Sequence, residues 1–81
     1  MKARVYVSLK NTVLDPQGQT ICRSLNNLGH AAIAKVRQGK VFDIELAPGI
    51  DKDEAARELD RIAQEVLSNP VIEEYRVELL S

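Results

Sequence analysis

Residues Lys2 to Lys10 alternate, with Ala3, Val5, Val7 and Leu9 on one side and Arg4, Tyr6, Ser8 and Lys10 on the other. A period of two predicts a strand with one buried face. The period then changes. Ile21, Leu25 and Leu28 recur at i, i+4 and i+7, a single apolar stripe on a helix. The stretch LDPQGQT (Leu14 to Thr20) opens that helix. Asp15 suits the N-cap, where its carboxylate accepts otherwise unpaired N–H groups, and Pro16 fits the first helical position. Gly29 suits the left-handed residue that ends it.

Ala31 to Arg37, with Ile33 and Val36, reads as a weaker second strand. Arg37-Gln38-Gly39-Lys40 predicts a hairpin turn, with Gly39 free to take positive φ. The return strand sets Phe42, Ile44 and Leu46 against Val41, Asp43 and Glu45, and Ala47-Pro48-Gly49 breaks it. Asp51 to Glu54 has capping-box spacing. The helix it opens carries Ala55, Leu59, Ile62, Ala63, Val66 and Leu67 on one face and stops at Asn69-Pro70. A last strand from about Val71 to Leu79 places Tyr75, Val77 and Leu79 together. The order β-α-β-β-α-β predicts an α+β fold of the ferredoxin-like plait type. Its four-stranded antiparallel sheet would carry both helices on one face. No linker or low-complexity segment interrupts residues 1–81, which are read as one domain.

Composition narrows the function. Eighty-one residues lie near the lower limit for a self-sufficient core, and the only aromatics are Tyr6, Phe42 and Tyr75. The core must be aliphatic, and self-association to a dimer or higher is expected of so small a chain. Eleven basic and twelve acidic residues leave a net charge of −1, which gives no electrostatic case for nucleic acid as a partner. A lone cysteine, Cys22, excludes an intrachain disulfide. No apolar run approaches the roughly 20 residues a membrane span needs. No membrane partner is expected, and the cytoplasm is the expected location.

The uncovered sheet face tests the remaining chemistry. It is expected to show Arg4, Tyr6, Ser8 and Lys10 beside Val41, Asp43 and Glu45, with Glu74, Arg76, Glu78 and Leu80 from the last strand. An RNA-binding plait needs stacking aromatics in a basic field, and carboxylates stand there instead. The mixed signs suit solvent or a like-built surface. His30 has no second histidine or cysteine beside it, so no metal site is expected. Cys22 has no neighbouring base and reads as a small filler of the helix. No carboxylate pair is singled out by spacing, and no catalytic residue is assigned. Gly18 keeps three readings: close packing inside the cap, the approach of a partner's backbone, or an anion at the helix N-terminus.

Four segments in order and spacing carry a resemblance: VSLKNTVLDPQGQTI, the helix end Leu25-Asn26-Asn27-Leu28-Gly29, VRQGKVFDIEL, and VLSNPVIEEYRVEL. The chain resembles the PurS family, the small subunit of bacterial and archaeal phosphoribosylformylglycinamidine (FGAM) synthase, over essentially its whole length. That resemblance implies a subunit of an ATP-dependent ligase complex in de novo purine synthesis. The complex converts formylglycinamide ribonucleotide, glutamine and ATP, with magnesium, to formylglycinamidine ribonucleotide. A glutaminase subunit releases ammonia and a large synthetase subunit uses it. The small subunit is implied to be non-catalytic, to hold the two together and assist ammonia transfer, and to bind no cofactor itself. The partner contacts expected on this reading are Lys10, Asp15, Gln17 and Gly18 in one segment, and Arg37, Gln38 and Lys40 in the other. The alternative is an ACT-like dimer that senses a small molecule, whose glycine-rich turn is only loosely met by Gly18.

Overall fold

The computed structural model describes residues 1–80. The first alternating run forms β1 (Lys2–Leu9), the middle strand of a three-stranded antiparallel sheet. Its neighbours are β2 (Gly39–Glu45) on one side and β3 (Glu73–Leu80) on the other. The register aligns Val5 with Phe42 and Val77, and Ala3 with Ile44 and Leu79, so the apolar sets of all three strands share one face. On that face lies α2 (Lys52–Ile62), which runs on into a single π turn, Ala63–Leu67. Val5, Val7, Ala55, Leu59 and Ala63 are fully buried. Phe42, Ile44, Leu67, Tyr75 and Val77 pack around Val5, Val7 and Ala63. Tyr75 Oη also donates to Asp60 Oδ1 at 2.8 Å, pinning α2 to β3.

Between β1 and β2 stands α1 (Pro16–Asn27). Its ends are as expected. The Asp15 carboxylate accepts from the Gly18 N–H, Pro16 occupies the first turn, and Gly29 takes a φ of 101° just beyond the end. Its position is not. Only α2 and the π turn pack on the sheet, and no core residue comes from 11–38. The two-helix layer of a plait is absent from the single chain.

The expected fourth strand is absent as well. Ala31 to Arg37 forms no ladder among the described residues; it turns at Ala31-Ala32 and returns beside α1. Three alanines give it little side-chain area to bury on pairing with a neighbour. Contacts with α1 hold it elsewhere: the Val36 carbonyl lies against Gly18, and Cys22 Sγ is 3.6 Å from the Ile33 carbonyl oxygen. Without that strand there is no hairpin at residues 37–40. Gly39 does not take positive φ; it starts β2, where a Cβ would stand 2.8 Å from the Val7 carbonyl oxygen of β1. Asp51 is the N-cap of α2 but makes no side-chain capping bond.

Val66 is the other departure. It belongs to the predicted apolar face yet is 72% exposed. A π turn takes more residues per revolution than an α turn, so the residue that follows Ala63 on the sheet side is Leu67. The resulting molecule is long and thin, 51 × 26 × 14 Å. Its radius of gyration is 16.3 Å, against about 12 Å for a compact domain of this length.

Candidate functional site

Residues 11–37 leave the sheet as an arm: out along α1, back along the return. The two roots of this arm meet at a neck. There the Asp15 carboxylate, 5% exposed, accepts from the Gly18 N–H at 2.9 Å through Oδ1 and from the Gln38 N–H at 2.8 Å through Oδ2. Those two donors, Gln38 first, hold its pKa below the usual carboxylate range. The Arg37 guanidinium sits beside it and spends its fork on main-chain oxygens. It donates to the carbonyls of Val13 and Lys10, each at 2.9 Å, and of Leu9 at 3.3 Å. The Lys10 N–H in turn donates to the Ile72 carbonyl, which fastens the neck to the start of β3. Gly18 is buried because the return passes over it; a Cβ there would fall on the Val36 carbonyl oxygen.

All seven expected contact residues therefore gather at one end of the sheet. Asp15, Gly18, Arg37 and the Gln38 main chain build the neck itself. Gln17, Gln38 and Lys40 line a cavity of about 200 Å³ together with Ser8, Asp15 and Glu73. Lys40 Nζ lies 3.8 Å from Glu73 Oε2 across that cavity. On the other side of Asp15 a wider groove of about 660 Å³ opens between α1 and the return, flanked by Asn11, Arg23, Asn26 and Lys35. Glu73 escaped the sequence reading, because a carboxylate at a strand start looks like any solvated charge. No signal short of the three-dimensional register brings it to Lys40.

Elsewhere a few side chains are paired. On the uncovered sheet face Arg4 Nε donates to Asp43 Oδ1 at 2.8 Å, and the Arg76 guanidinium lies 4.1 Å from the centre of the Tyr6 ring. Among the described residues no three His, Cys, Asp or Glu side chains gather as metal ligands, and no helix is long and apolar enough to cross a membrane. Cys22 is partly buried with Asn26 Nδ2 3.5 Å from its sulfur. The side chains of Asp15 and Arg37 are matched to main-chain partners across the neck, and the smaller cavity holds the Lys40–Glu73 pair.

The fold and site define a small α+β chain with an exposed helical arm rooted in a polar neck. The chain belongs to the PurS family: the family model described as phosphoribosylformylglycinamidine (FGAM) synthase matches residues 2–81. The phosphoribosylformylglycinamidine synthase subunit PurS of Mycobacterium leprae is 43% identical over 76 residues, 94% of this chain and 91% of that protein. The PurS structure from Methanocaldococcus jannaschii, one of the subunits of formylglycinamide ribonucleotide amidotransferase, superposes with a TM-score of 0.84 at 35% identity. It covers 95% of this chain and 92% of that one. A chain from the PurLQS structure of Thermotoga maritima gives a TM-score of 0.87 at 34% identity, covering 98% and 95%. The small-molecule-sensing alternative finds no support in these likenesses.

Proposed function

We propose that this chain is the bridging, non-catalytic subunit of an FGAM synthase, joining a large synthetase subunit and a glutaminase subunit in the cytoplasm and assisting ammonia transfer between them. The observation that carries the reading is the full-length likeness to a chain of PurLQS, a structure whose name joins the small subunit to two others. The site chemistry agrees with it. A bridge needs preorganised contact surfaces, and holding two catalysts in register lets ammonia reach its acceptor before it is protonated or lost. ATP, magnesium and glutamine belong, on this reading, to the larger subunits; this chain holds no cofactor. Lys10, Gln17, Gln38 and Lys40 surround the neck as contacts for a partner, while Asp15, Gly18 and Arg37 hold it in shape.

Self-association is part of the same proposal. On α1, Leu28 is 76% and Ile21 40% exposed, an apolar stripe with no sheet beneath it. The outer edge of β2 is open, and the main-chain N–H groups of residues 34–37 have no acceptor among the described residues. A second copy of the chain would cover the stripe and these unpaired groups at once, through main-chain pairing and apolar contact. The test is co-purification of the tagged chain with the two larger subunits from a reconstituted mixture. Retention of both in a complex containing at least two copies of this chain is expected. Failure to retain either one contradicts the bridge.

A further inference from the structure

We propose that the arm, residues 11–37, opens as a unit independent of the sheet, and that Arg37 and Asp15 are positioning residues that set its angle. The arm shares no apolar core with the rest of the chain, since every core residue lies outside 11–38. What joins it to the sheet is polar and confined to the neck. Arg37 ties together Leu9, Lys10 and Val13 on the outgoing root, and Asp15 reaches across to Gln38 on the returning one. Both side chains thus cross-link positions more than 20 residues apart in sequence. Within the arm, the close passage of Val36 over Gly18 and of Ile33 beside Cys22 keeps helix and return together. A segment with few buried apolar contacts and a small set of defined anchors is the kind of unit that opens below the global unfolding energy. The neck then decides where the apolar stripe of α1 is presented. This role rests on the proposal that the arm is used in assembly.

The planar fork is essential to the argument, because one ammonium cannot reach three carbonyls in the geometry a guanidinium does. Arg37→Lys keeps the charge and removes the fork; Asp15→Asn replaces one acceptor oxygen with a donor facing an N–H. Hydrogen exchange of the full-length chain, followed by mass spectrometry at matched concentration, reads both. In wild type the amides of α1 are expected to exchange at least about tenfold faster than those of β1 and with a weaker dependence on added urea, and in each variant α1 exchange is expected to rise about tenfold or more further. Equal exchange rates and equal urea dependence of α1 and β1 in wild type would mean that the arm opens only with global unfolding, and unchanged α1 exchange in the variants would mean that the neck does not anchor the arm; either overturns the proposal. Sedimentation of the same samples separates the two readings. A wild-type chain that stays monomeric sinks self-association, while the exchange pattern still decides the independence of the arm. Where wild type does associate, both variants are expected to do so about tenfold more weakly; unchanged association with a loosened arm overturns the positioning role.

Discussion

At Gly18 two residue-scale effects compete. Alanine is the better helix former by about 1 kcal/mol. Its Cβ, however, would fall on the Val36 carbonyl and lie 2.9 Å from Asp15 Oδ2. Neither obstacle is a flexible side-chain end that can swing away, and forcing atoms into such a space costs about 1–3 kcal/mol. Because the main-chain oxygen of Val36 stands in the way, the clash wins and Gly18→Ala is expected to lower stability by up to roughly 2 kcal/mol net in urea unfolding; a variant as stable as wild type would show that the return yields. Asp15 supplies a second prediction. Its folded pKa is depressed by the Gln38 and Gly18 N–H groups. The stabilisation is therefore fully present above the ordinary carboxylate range, near about 4, and is lost as pH falls through the folded value. The gap in urea midpoint between wild type and Asp15→Asn should be widest at neutral pH and narrow below about pH 4. A gap of constant size across that window contradicts the assignment. Of the three sequence-level readings of Gly18, the structure supplies close packing directly. Its partner is a carbonyl 18 residues downstream, and no local pattern announces that.

At the scale of elements, period alone was enough for β1, β2, β3 and the buried face of α2, because each buries one side against the same core. It failed where the competitor was tertiary. Ala31 to Arg37 has the spacing of a strand, but Gly18, Cys22 and the neck hold it beside α1. It also failed at the π turn, which leaves no composition mark yet moves Val66 out and Leu67 in. That exchange is measurable. Leu67→Ala removes methyl groups packed against the core and is expected to cost about 2 kcal/mol. Val66→Ser, at an exposed position, should change stability by less than about 0.5 kcal/mol. The opposite order in chemical denaturation would restore a regular α-helical phase through residue 67.

At the scale of the whole molecule, a thin sheet with one helix on it and another carried out on an arm is an open shape for so short a chain. The apolar stripe of α1 explains the shape if a second copy covers it, as proposed above. Replacing Leu28 and Ile21 together by Ser should leave the β1 and α2 core intact and weaken association at least about tenfold in sedimentation; equal association of the double variant would place the interface elsewhere. The site was legible in part. The segments around DPQG and VRQGK were identified, and the structure brings them to one neck. Glu73, which meets Lys40 through the register of β3, was not.

The central claim is the bridge. The most direct measurement compares glutamine-dependent and ammonia-dependent synthesis of formylglycinamidine ribonucleotide by the two larger subunits, with and without this chain. The account predicts that omitting the chain abolishes the glutamine-dependent reaction and spares the ammonia-dependent one. Equal loss of both, or full glutamine-dependent turnover in its absence, would contradict it.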